Sequence, residues 1–332
     1  MRELIENFPK QLQDAVDALA STDASKHDTL SKSFTPTGVL ILGMGGSGIS
    51  GEFVSSILEQ DSPIPVMRNA NYSIPGWVNE NTLVIACSYS GNTEETISGV
   101  QHANSRGSKI AVISSGGKLI ELANEYNWPH VGMPGGFPPR SQFCWSFACL
   151  CWTLSRFGIL PEALYSDLEE SAKGLEENKA NTEERARSIV ELVQDKQIFI
   201  YSESQTFSLA TRWRQQFNEN GKTLVNTKPF PELNHNELVG WSGDNEDKVA
   251  LVISMPEDFS RTQIRMELSA EIFQECGADV IVVEPTGDTM MERLMDLVLL
   301  GDFISLIHAE VNGTDPIQID NIDRLKEALA KV

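Results

Sequence analysis

At 332 residues the chain exceeds one ordinary core of about 100–150 residues, which predicts two domains. Hydrophobic residues at 41% and charged residues at 22% exclude disorder, collagen-like repeats and coiled coils. Asp and Glu outnumber Lys and Arg 47 to 26, and the resulting net charge of -21 opposes the counterion release behind nucleic-acid and anionic-lipid binding.

Residues 8 to 20 predict a leading helix, and the Ser/Thr-rich segment 21 to 37 is too short for a disordered linker. Three apolar runs follow, VLILG (39–43), TLVIACS (82–88) and KIAVISS (109–115), with a weaker one at IPVMR (64–68). Each strong run leads into a Gly/Ser-rich turn and then helix-like sequence. Uniformly apolar strands in this rhythm predict a parallel sheet covered on both faces by helices.

The Cys/Trp-rich run FCWSFACLCWTL (143–154) predicts a helix too short to span a bilayer. The five cysteines, Cys87, Cys144, Cys149, Cys151 and Cys276, form no CxxC pair and are expected to be reduced, buried and structural. The first residues, MRELIENFPKQ, lack a signal-peptide core, so the expected compartment is the cytoplasm. After GILPEA, the charged stretch SDLEESAKGLEENKANTEERARSIVELV predicts a solvent-facing helix pair. The second half repeats the strand rhythm at QIFIYS (197–202), KVALVIS (248–254) and DVIVVEP (279–285), and DPIQIDNIDRLKEALAKV predicts a closing helix. One fold used twice is expected: two doubly wound, flavodoxin-like α/β domains, 1–160 and 161–332, with phosphate binding in the first.

Gly43-Met44-Gly45-Gly46-Ser47-Gly48, after a strand and before a helix, places backbone N–H groups and a helix dipole where a phosphate can sit. It also fits a dinucleotide fingerprint. That reading wants a carboxylate at the end of the next strand, whereas the sequence there is Val66-Met67-Arg68-Asn69; Arg68 would suit only a 2′-phosphate. The run Ser88-Tyr89-Ser90-Gly91-Asn92-Thr93-Glu94-Glu95 ends the following strand. Its hydroxyls either cap the next helix or join the first loop in one anion site. His27, His102, His130, His235 and His308 occur singly, without metal-ligand spacing.

GMGGSG, SYSGNTEET, the PPR of 138 to 140, FNENGKT and PELNHNE, in that order, resemble the bifunctional phosphoglucose/phosphomannose isomerases, a branch of the sugar isomerase (SIS) domain proteins. The resemblance runs from Leu40 to about Lys326. It implies two SIS domains and cofactor-free, metal-free interconversion of glucose 6-phosphate and fructose 6-phosphate through a cis-enediolate, with mannose 6-phosphate as a further substrate. It implies Gly46, Ser47, Ser88, Ser90 and Thr93 around the phosphate and Glu219 as the base that shuttles the proton. Arg140 is implied at the enediolate, and His235 in ring opening, contributed across a homodimer interface and assisted by Lys326. Aldose–ketose chemistry needs this complement of base, cation and ring-opening acid. The family's DPTP-like segment, tied to acceptance of both C2 epimers, reads Asp315-Pro316-Ile317-Gln318 here. Two other readings stand beside this one: a non-catalytic sugar-phosphate regulator that uses the hydroxyl loops alone, and an NADP-dependent reductase built on Gly43, Gly45 and Gly48.

Overall fold

The computed structural model describes residues 1–331. Helices α1 (Arg2–Glu6), α2 (Phe8–Ala20) and α3 (Ser25–Ser33) come first. The first sheet then builds up as β1 (Gly38–Leu42), α4 (Gly45–Leu58), β2 (Val66–Asn69), β3 (Thr82–Cys87), α5 (Glu94–Ser105), β4 (Lys109–Ser114), α6 (Gly117–Glu125) and β5 (His130–Gly132). A 3-10 turn, Pro139–Gln142, leads into α7 (Phe143–Arg156) and α8 (Glu162–Val193). The second sheet is β6 (Gln197–Glu203), α9 (Phe207–Glu219), β7 (Asn226–Phe230), β8 (Lys248–Ile253), α10 (Ser260–Glu275) and β9 (Asp279–Val283). Helices α11 (Met290–Val311) and α12 (Asp320–Leu329) follow.

The first sheet runs β2-β1-β3-β4-β5 and the second β7-β6-β8-β9, with every pairing parallel. In units of chain order these are 2-1-3-4-5 and 2-1-3-4, the flavodoxin-like winding used twice. β1 and β3 are buried along their whole length, as strands covered on both faces must be. In such a winding the strand order reverses between the first and third strands, and the crevice outside their carboxyl ends is where ligands bind. The two hydroxyl-rich loops lie at that point of the first sheet.

One apolar cluster joins the sheets, running from Phe53, Phe143 and Phe147 to Trp213, Phe217 and Phe303. Each such fully buried side chain contributes about 1.5–3 kcal/mol. Helix α11, buried almost from end to end, packs against α8 and α9 at its centre. Helix α7 packs against α2 and α4, so its apolar run is core, and four of the five cysteines are buried. Among the described residues no helix is long and apolar enough to cross a membrane.

The expected helix pair at 166–193 is instead one 32-residue helix, α8. It is also not wholly solvent-facing. Leu168, Ala172, Leu175, Thr182, Ala186, Ile189 and Val193 recur at helical spacing and form a buried stripe.

Candidate active site

The anion cradle is assembled from the ends of β1 and β3. Helix α4 begins without a side-chain cap at Met44, so backbone N–H groups open toward the crevice. Ser47 Oγ accepts from the Tyr89 N–H at 2.9 Å, tying the first loop to the second. Ser88 and Thr93 hydroxyls lie 2.8 Å apart, and Ser90 Oγ accepts from the Asn92 N–H at 3.2 Å. Thr93 occupies the N-cap of α5 but makes no capping bond. Its hydroxyl lies against Ser88 instead. Gly91 turns the loop at φ 69°, and a side chain there would collide with the Gly116 carbonyl.

Gly46 links this cradle to a cation. A Cβ at Gly46 would lie 3.0 Å from the Arg140 backbone nitrogen and 3.1 Å from its Cα, so only glycine lets the turn Pro139–Gln142 pack this close. The Arg140 guanidinium is 3% exposed and points away from its own helix toward α9. Its Nε donates to Asn220 Oδ1 at 2.8 Å, Nη1 to Glu219 Oε2 at 3.1 Å, and Nη2 to the carbonyls of Pro316 at 2.6 Å and Ile317 at 3.3 Å. Burial pushes Arg140 below its ordinary value, and the ion pair with Glu219 works against that shift. A guanidinium out of water requires this many acceptors.

Glu219 is the last residue of α9, with 27% of its side chain exposed. One flank meets Arg140. The other lines a cavity of about 510 Å³ with Lys222, Thr223, Gln318 and Asp320, a volume that admits a small ligand. Lys222 Nζ donates to the Glu219 and Asp315 carbonyls at 2.7 and 2.6 Å, fastening the 315–318 strap beside the carboxylate. The Glu219 carboxylate, the Arg140 guanidinium and the Gly46 loop therefore adjoin at the seam between the sheets.

With that geometry in place, two family models match the chain: the SIS domain at residues 37–123, and the bacterial phospho-glucose isomerase C-terminal SIS domain at residues 182–329. A bifunctional phosphoglucose/phosphomannose isomerase from Aquifex aeolicus is 34% identical over 92% of this chain and 94% of its own. Another, from Caldicellulosiruptor bescii, is 33% identical over 100% of this chain and 99% of its own. The chain belongs to the bifunctional phosphoglucose/phosphomannose isomerase family. Among solved structures, the C-terminal domain of glucosamine-fructose-6-phosphate aminotransferase from Francisella tularensis superposes with a TM-score of 0.76. It covers 96% of this chain and 98% of that one at 14% identity, which shows the SIS fold alone.

Not every expected site residue of this bifunctional isomerase family member joins the constellation. His235 ends the 3-10 turn Glu232–His235 beyond β7, exposed, with no hydrogen bond or ion pair to Arg140, Glu219 or the hydroxyl loops among the described residues. Lys326 lies on α12, a helix with no buried residue. Neither completes the site within one chain. Arg68 is committed internally, donating to the Gly43 carbonyl and paired with Glu52, so it does not offer itself to a 2′-phosphate. Nothing local in the sequence singles out Asn220, Arg212 or Asp302, whose partners lie 72 to 90 residues away.

In the second sheet the corresponding crevice, outside β6 and β8, holds carboxylates beside its hydroxyls, with Thr206 Oγ1 donating to Asp258 Oδ1 at 3.5 Å. Both oxygens of Glu203 accept from the Phe259 N–H at the start of α10, at 3.1 Å, and Asp258 Oδ2 accepts from the Met255 N–H at 2.8 Å. The chain's own anions fill this position. Burial pushes Asp258 up to about 7, and neighbouring Glu203 adds to the effect. The folded-state value exceeds the unfolded one, so the acid form's stabilisation is complete below pH ~4 and is lost as pH rises through about 7. Asp258→Asn, which mimics the protonated acid, is expected to raise stability at pH 8.5 by up to about 4 kcal/mol. At pH 5 the gain should shrink; urea unfolding at both pH values checks this, and equal shifts would contradict it.

Proposed function

We propose that the chain is an aldose–ketose isomerase that interconverts glucose 6-phosphate and fructose 6-phosphate, with mannose 6-phosphate as a third substrate, in the cytoplasm. What supports this reading most is the Arg140 junction: its backbone packs on Gly46 of the anion cradle while its guanidinium meets the Glu219 carboxylate. The phosphate is held by Gly46, Ser47, Ser88, Ser90 and Thr93, which anchors C1 and C2 near Glu219. Glu219 removes the proton from one carbon and returns it to the other. As the carboxylate takes up the proton, negative charge moves to the enediolate oxygen, and Arg140 passes from one anion to the other without leaving its place. A preorganised cation of this kind favours the transition state over the ground state.

The division into domains falls near residue 160, with phosphate binding in the first and the base in the second. The active unit is a homodimer, in which His235 reaches the neighbouring subunit's sugar ring and Lys326 assists its opening. His235 is exposed and unpaired with the rest of the site, which favours this arrangement.

The test is turnover of fructose 6-phosphate in EDTA, with the two aldose products measured separately. Both should form. Glucose 6-phosphate alone would withdraw mannose 6-phosphate and point to the Asp315-Pro316-Ile317-Gln318 strap beside Glu219. Neither product, with binding of the sugar phosphate retained, would leave the regulator reading in its place.

A further inference from the structure

A polar ladder crosses the otherwise apolar seam between α9 and α11. Arg212, Gln216 and Asn220 stand four residues apart along one stripe at α9, facing Asp302 and Ser305, three apart on α11. All five are at most 2% exposed. Arg212 Nη2 donates to both Asp302 oxygens, at 2.8 and 2.6 Å, and Gln216 Nε2 donates to Asp302 Oδ1 at 2.7 Å. Buried polar groups like these are no more stabilising than a well-packed apolar seam. What the ladder does is reach Arg140 from two sides. Arg212 Nη2 donates to the Arg140 carbonyl at 3.3 Å, and its guanidinium lies over the Phe143 ring, 4.6 Å from the centroid, three residues beyond.

The other end is a directed chain of hydrogen bonds. Arg140 Nε can only donate, so the Asn220 amide must present Oδ1 to it. That leaves Asn220 Nδ2 to donate to Ser305 Oγ at 3.0 Å, and Ser305 Oγ to donate to the Asp302 carbonyl at 2.8 Å. No link can reverse without leaving a buried group unpaired. We infer that Asn220, Ser305, Arg212 and Asp302 are positioning residues that hold the Arg140 guanidinium in one orientation beside Glu219. The inference rests on Arg140 acting as the cation of the proposed enediolate step.

Ser305 makes no hydrogen bond to Arg140 or Glu219, and its link to the Arg140 guanidinium runs through Asn220. Steady-state kinetics with fructose 6-phosphate on Ser305→Ala, Asn220→Ala, Arg140→Lys and the two double variants with Ser305→Ala separates positioning from bulk stability. Ser305→Ala alone should lower kcat about 5- to 10-fold with KM within about twofold, the pattern of an interaction felt in the transition state. In the Asn220→Ala background, and likewise in Arg140→Lys, the same substitution should cost less than about twofold, because its route to the reaction is already cut. If Asn220→Ala does not fold, the Arg140→Lys cycle carries the test by itself. Equal losses in every background, a loss confined to KM, or no loss from Ser305→Ala would overturn the inference. Full kcat in Arg140→Lys would remove the role of Arg140, and the inference with it, a result that kinetics of that single variant reveals separately.

Discussion

Glu219→Gln should reduce kcat by about 10³–10⁴-fold while leaving the affinity for sugar phosphate within about threefold. Glutamine keeps the shape of the side chain and an oxygen to accept from Arg140 Nη1, so the remaining bonds of Arg140 to Asn220, Pro316 and Ile317 survive. The loops proposed to hold the phosphate lie on the first sheet and lose nothing. What the amide cannot do is accept a proton from carbon. Exchange of the C2 proton of glucose 6-phosphate with deuterated solvent provides a second readout, because it reports proton removal whether or not product is released. Exchange should vanish with turnover. Retention of exchange, or a loss below about tenfold in kcat, would mean that another group removes the proton.

How much of this site the sequence disclosed depended on distance along the chain. The two Gly/Ser-rich loops were legible because each is a contiguous run after an apolar strand: Gly43 to Gly48 follows β1, and Ser88 to Thr93 follows β3. Their adjacency comes from the winding, in which β1 and β3 lie side by side although β2 comes between them in the chain. Edge strands were harder to see. β7 reads Asn-Thr-Lys-Pro-Phe, and its Pro229 is tolerated because the strand pairs on one side only, with β6. Helix α11, buried on nearly every face, carries no amphipathic period to announce it. Gly174 sits mid-helix in α8, where the Glu292 side chain lies against it and a Cβ would overlap the carboxylate. The polar ladder was invisible for a different reason: its partners are paired across 72 to 90 residues, and nothing local marks a buried Arg as different from a solvated one.

Breaking the Arg212–Asp302 pair from one side should be costly, although the intact pair is no more stabilising than an apolar seam. Its side chains are 2% and 3% exposed, and burial pushes Asp302 above its ordinary value while Arg212 and Gln216 pull it back. Removing one partner leaves the other charge uncompensated in the core, so Asp302→Leu should cost about 3–5 kcal/mol. The companion change Arg212→Met in the same chain should recover much of that loss, because a neutral, well-filled seam no longer pays for desolvating a charge. Urea unfolding of the single and double variants measures the difference. Summed rather than offset losses would show that the hydrogen bonds of Arg212 to the Arg140 carbonyl and of Gln216 to Asp302, rather than the charge pair, dominate the seam. Stability and activity should then part company in the double variant. It regains folding but not the anchor on the Arg140 carbonyl, so its kcat should stay depressed at temperatures where it is fully folded. That dissociation is what a polar ladder retained for geometry predicts, and what one retained for stability does not.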